Sequence, residues 1–148
     1  MKFSWSSIKI SIAGAKLSHL VQKDRIWDHG SMAEQARIIF YLVHKAKASG
    51  NINSLKKQCS DAAFEKLIAK IEEAKQNSAL TTSPIVKEIA IIDVRPGKNN
   101  KPDRFNTLIK YYFKETSVGK ETIDLEKEFA AKWCFIRQGE WWVLNEIK

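Results

Sequence analysis

Before Pro84 the apolar residues mostly recur every three or four positions, and after it mostly every two. The first spacing lines side chains along one stripe of a helix, the second along one face of a strand. Ala36, Ile39, Phe40 and Val43 follow at helical spacing. "SMAE" offers Ser31 and Glu34 as a capping box ahead of them, and Gly50 in "SGN" can close the helix in the left-handed conformation. "INSLKKQ" suits a short second helix capped by Asn53. "SDAAFEKLIAKIEEAKQN" predicts a third, capped by Ser60 or Asp61, with Phe64, Leu67, Ile68 and Ile71 as its stripe. Nearer the start the pattern is mixed. "SSIKISIAG" alternates Ile8, Ile10 and Ile12 with polar residues, as a strand does, and "AKLSHLVQKDRI" then spaces Leu17, Leu20 and Val21 as a helix does.

The second half predicts strands. "PIVKEIAIIDV" is β-branched and apolar, and the polar turn "RPGKNNKPD" follows it. "RFNTLIKYYFKET" places Phe105, Thr107, Ile109, Tyr111 and Phe113 on one side. "VGKETIDLEKE" reads as a loop that reaches its strand near Glu128, and "FAAKWCFIRQ" and "EWWVLNEIK" form two more strands around a glycine turn. Helices followed by an antiparallel sheet make an α+β domain.

The last seventeen residues hold three of the five tryptophans. With Gln138-Gly139 as a two-residue hairpin loop, Arg137 faces Glu140, Phe135 opposes Trp142 and Trp133 opposes Leu144 on one face. On the other face Ile136 opposes Trp141 and Cys134 opposes Val143, with Ile147 beyond. Both faces are then apolar, whereas a sheet packed on helices ordinarily shows water a polar side. The N-terminal arm, a strongly curled sheet, a partner chain or a ligand would have to cover the second face. A filled core, a pocket for an apolar molecule and a dimer face are the three resulting arrangements.

Charge adds a surface preference. The chain carries 25 bases and 17 acids over 148 residues. Lys2, Lys9, Lys16 and Lys23 precede the first acid, Asp24, so half of the net +8 sits on the first 23 residues. Such a segment favours an anionic surface, either phospholipid headgroups or nucleic acid, although it also fits an ordinary N-terminal strand or helix with solvated lysines. It is basic, rich in serine and free of acids, as mitochondrial transit peptides are, but lacks their arginines. No stretch reaches the eighteen or so apolar residues of a membrane-spanning helix. Cys59 and Cys134 lie far apart without ligand-spaced partners and read as buried thiols; a single disulfide between them stays open. No metal or cofactor motif is present, nor a P-loop, dinucleotide fingerprint or nucleophile elbow.

A resemblance sharpens these readings. Helices before a four-stranded curved sheet resemble the cone-shaped nuclear-transport-factor-2-like fold. "KWCFIRQGEWWVLNEI" resembles the closing motif of one branch, which runs tryptophan, any residue, phenylalanine, any residue, arginine, then glycine and tryptophan before a final apolar strand; Trp133, Phe135, Arg137 and Trp142 match it. That branch is the C-terminal domain of the import-motor adaptor of the mitochondrial inner-membrane translocase, with bacterial relatives and a mitoribosomal large-subunit protein. The helical stretch from Trp27 to Leu67 is similar to the family's opening, so the likeness covers residues 27–148 and leaves 1–26 as a basic arm. The long region that binds the chaperone partner in the adaptor is missing from this sequence.

The resemblance implies a non-enzymatic module, intracellular and peripheral to a membrane, on the bacterial cytoplasmic membrane or the mitochondrial matrix side. It implies an apolar pocket, for which Phe40, Val43, Ile109, Tyr111, Trp133, Phe135 and Trp142 are the candidates, and a protein partner or homodimer through the sheet face. Lys2, Trp5, Lys9, Lys16 and Lys23 are the candidate contacts with an anionic phospholipid surface. Two alternatives stand beside it. The cone fold also hosts isomerases, dehydratases and cyclases, whose sites need a buried carboxylate or a His–Asp pair, here His44 and Asp93. An RNA- or ribosome-binding domain would use exposed aromatics among bases, and "IKYYFK", with Lys110 and Lys114 flanking Tyr112, comes nearest.

Overall fold

The computed structural model describes residues 5–76, 84–113 and 128–148. Its elements are α1 (Trp5–Leu20), α2 (His29–Ser49), α3 (Asp61–Gln76), β1 (Pro84–Arg95), β2 (Arg104–Phe113), β3 (Phe129–Gln138) and β4 (Trp141–Ile147). Single 3₁₀ turns at Arg25–Trp27 and Lys56–Gln58 join the helices. The four strands form one antiparallel meander in the order β1-β2-β3-β4, with the helices packed on it. The α+β expectation holds, and the second predicted helix shrinks to the 3₁₀ turn at Lys56–Gln58.

The inner face of the sheet is a ladder of matched apolar residues. Val94, Phe105, Phe135 and Leu144 stand in one row, and Ile89, Ile109 and Ala131 in another. The predicted alternation along β2 is realised, with Phe105, Thr107 and Ile109 buried. α2 lies against this face through Met32, Ala36, Ile39, Phe40 and Val43. Its start differs from the capping box. Asp28, not Ser31, is the N-cap, its carboxylate accepting from the Ser31 N–H at 2.9 Å, and Glu34 turns to Arg37 instead. Aspartate caps as well as serine and adds a negative charge at the positive end of the helix dipole. Gly50 closes the helix at φ 78°, as the sequence predicts. Ser60 caps α3, accepting from the Ala63 N–H at 3.3 Å, and its own backbone N–H pins that start to Leu144 O at 2.8 Å.

Two further expectations are corrected. Residues 5–20 are a helix throughout, not a strand followed by a helix, and the helix packs beside β1 with Ala13 and Leu17 buried. The hairpin also slides by two residues. Its loop is Gly139-Glu140, with Gly139 at φ 64°, so Gln138 pairs with Trp141, Arg137 with Trp142 and Phe135 with Leu144. A slide of two keeps each side chain on its expected face. Beyond it, an extra residue in β4 opposite Cys134–Phe135 pairs Ile147 with Trp133 and brings it to the inner face.

The outer face is consequently not greasy throughout. Asp93, Asn106, Lys110, Lys132 and Glu146 lie on it, while Cys134 and Val143 are buried there. Trp141 is 66% exposed, so the sheet shows water one of its tryptophans.

Candidate functional site

The seven residues expected to line an apolar pocket do come together, most of them buried in the core, while Tyr111 is half-buried and Trp133 also borders a cleft. Phe40, Val43, Ile109 and Phe135 are fully buried, and Trp133 and Trp142 are each 3% exposed. Phe40 meets Tyr111 at 5.0 Å and Trp133 at 5.1 Å between ring centroids, and Phe105 stacks on Phe135 at 5.0 Å. Trp142 turns its edge to Phe105 and Trp27 and donates its indole N–H to Ile26 O at 3.1 Å. These aromatics hold the helical layer to the sheet. Trp133, Phe135 and Trp142 come from the closing stretch, and Trp27, Phe40, Phe105 and Tyr111 from earlier elements.

Arg137, the motif's arginine, works at the rim of the inner face. Its guanidinium reaches Asp24 Oδ2 at 2.7 Å, Asp103 Oδ2 at 3.3 Å and Gly139 O at 2.8 Å. The bond from Arg137, then that from the Ile26 N–H, holds the Asp24 carboxyl below its ordinary value.

The candidate membrane contacts fall on α1 and the turn after it, apart from Lys2, which lies outside the described residues. Trp5 is 72%, Ile8 40% and Ile12 54% exposed. At about 100° per residue, Trp5, Ile8, Lys9, Ile12 and Lys16 fall within one arc of about 100° beside the buried stripe of Ala13 and Leu17. Lys23 is exposed in the following turn. The helix contains no acid, and among the described residues neither Lys9 nor Lys16 has an ion-pair partner.

Next to that stripe, between α1 and the sheet, lies a half-open cleft of about 410 Å³. Lys9, Lys16, Arg95, Lys132 and Lys148 surround it, and Asp93 is the one acidic side chain among the described residues that line it. Asp93 is already engaged, accepting from Arg95 Nε at 2.8 Å and Asn106 Nδ2 at 3.3 Å. Ile12, Ile92 and Trp133 contribute apolar wall. Sheet register makes this cluster. Asp93 pairs with Asn106, and the backbone N–H of Lys148 donates to Lys132 O at 2.8 Å, setting the two lysines side by side. The sequence shows each lysine but not the pairing that gathers them, so Arg95, Lys132 and Lys148 carry no local signal of a site.

The His44–Asp93 pair does not form. His44 packs among Phe40, Tyr111 and Phe113 at one end of the sheet. Asp93 stands seven positions along β1 from Val86, the partner of Tyr111, on the opposite face. That is roughly 20 Å of strand. The fold does not join them. Cys59 and Cys134 are free, buried thiols, and burial pushes Cys59 up to about 11. Tyr112 is half-buried and Lys110 pairs with Glu88 at 3.7 Å, while Lys114 lies outside the described residues. Among the described residues no cluster of three or more His, Cys, Asp or Glu could hold a metal ion, and no helix is long and apolar enough to cross a membrane. Compared with protein-family models and with curated proteins, the chain matches none.

Proposed function

We propose that this chain is a non-enzymatic docking module that rests on an anionic membrane surface, with α1 lying in the interface. One observation carries the reading: α1 exposes tryptophan and isoleucine on the same arc as two lysines that have no ion-pair partner among the described residues, with no acid in the helix. Such a face sinks its apolar side chains to the headgroup level, where tryptophan is favoured, while the lysines meet lipid phosphates. The buried neighbours Ala13 and Leu17 fix the helix to the domain, so the exposed arc is presented on a rigid support. A peripheral role of this kind is also what the resemblance to import-motor adaptors implies.

Sedimentation with vesicles tests it. The full chain is expected to pellet with phosphatidylglycerol-rich vesicles at low salt and to be released as salt screens the lysines. Replacing Lys9 and Lys16 by glutamine removes two charges worth about 1 kcal/mol each at an anionic surface, a fall in partitioning of about thirtyfold. Trp5→Ser lowers partitioning at every salt concentration. Because Ala13 and Leu17 belong to the core, these exposed-face variants isolate docking from folding, as deletion of α1 does not. A full chain that stays in the supernatant at low salt overturns the proposal.

A further inference from the structure

We infer that the cleft between α1 and the sheet is a binding site for a phosphate monoester, recognised together with an apolar group attached to it. The inference deepens the membrane reading, because Lys9 and Lys16 belong to both surfaces, and it rests on that reading for the headgroup as a source.

Charge is the first argument. Five cationic side chains and one acidic side chain line the cleft, a side-chain balance of +4. The carboxylate is taken up by Arg95 and Asn106, and among the described residues Lys9, Lys16, Lys132 and Lys148 have no ion-pair partner. A concave surface of one sign concentrates counter-charge. A phosphate monoester carries between one and two negative charges near neutral pH, against one for a diester, and it presents three acceptor oxygens to ammonium donors. The site therefore prefers the monoester. Arrangement is the second argument. The lysines come from three separate segments, α1, β3 and the residue that follows β4, so they converge on a space instead of following one another along a helix. The third argument is the wall. Ile12, Ile92 and Trp133 line a cleft whose volume of about 410 Å³ exceeds the needs of phosphate alone. That size falls within the range of sites for small organic molecules.

The test titrates the full chain, followed by two-dimensional NMR, with glycerol 3-phosphate and with monomeric dihexanoyl phosphatidic acid. Shifts are expected at the amides of residues 92–95, 106, 132, 133 and 148. Lys132→Gln/Lys148→Gln, which leaves α1 untouched, should weaken binding by about thirtyfold, since each lysine contributes a charged contact. A parallel measurement compares vesicles of phosphatidic acid and phosphatidylglycerol matched in surface charge. A preference for phosphatidic acid that disappears in the double variant assigns the cleft to a lipid headgroup. Glycerol 3-phosphate binding as tightly as the lipid, without that preference, assigns it to a soluble phosphate monoester. Absence of shifts with both probes, or unchanged affinity in the double variant, overturns the inference. Phosphatidylglycerol binding reports on the membrane reading separately: its persistence beside a silent cleft removes only the cleft, and its absence beside a responsive cleft removes only the membrane.

Discussion

His44 shows how a polar residue can be spent on packing. Its ring lies 4.4 Å from Phe40 and 5.8 Å from Tyr111 between centroids, on the core side of α2. Burial first, and the Lys47 charge second, lower its imidazole to about 4 from 6.5. The folded protein therefore keeps His44 neutral where the unfolded chain already binds a proton. With the folded value below the unfolded one, stability is complete above about pH 6.5 and drains away as pH falls towards 4. Discounted for the part of the ring that solvent reaches, the loss amounts to about 2 kcal/mol. His44→Phe keeps an aromatic ring and removes the proton. Urea midpoints of the wild type at pH 7 and pH 4.5 should differ by more than those of the variant; equal differences would mean that the ring is solvated in both states.

Among the elements, α1 and the closing hairpin contain the two instructive misreadings. Ile8, Ile10 and Ile12 alternate like a strand, yet the segment is helical because Ala13 and Leu17 find a place beside β1, and tertiary burial outweighs a three-residue alternation. In the hairpin, sequence shows a glycine turn but not which residue of the loop it occupies. Gly139 takes the first position at φ 64°, and the whole register follows from that choice. Strands and the stripes of α2 and α3 were legible because their periodicity is long. The cleft was not, because Lys132 and Lys148 become neighbours only through strand pairing. Two alanine substitutions separate these cases. A Cβ at Gly14, inside α1, meets nothing within 4 Å, so Gly14→Ala should raise stability by about 0.5–1 kcal/mol if the segment is helical. Gly139→Ala places a side chain in the left-handed region and should cost about 1–2 kcal/mol. Denaturant titration of both variants reads the two signs directly.

Across the whole molecule, Arg137 ties together three segments far apart in sequence. Asp24 ends the turn after α1, Asp103 closes the β1–β2 loop, and Arg137 leads β3 into the hairpin. The backbone contributes as well, with the Arg137 N–H donating to Asp103 O at 2.9 Å and the Trp142 indole to Ile26 O. α1 otherwise holds to the sheet through a short stripe of small and medium side chains, so this clasp controls how firmly the docking helix is carried. Arg137→Gln keeps a donor but removes the charge shared by the two carboxylates. It should lower the melting temperature at pH 7 and speed amide exchange at residues 17–27, 103 and 137–142. The start of α3, pinned to Leu144 by Ser60, should exchange as before. The pH dependence has a fixed sign. Asp24 is held below its ordinary value, so its contribution is present above the usual carboxylate range and is lost as pH falls through the lowered value. Wild type and variant should therefore converge in stability below about pH 4. A gap that stays constant into acid would show that Arg137 acts through packing of its stem, and that the carboxylates only accompany it.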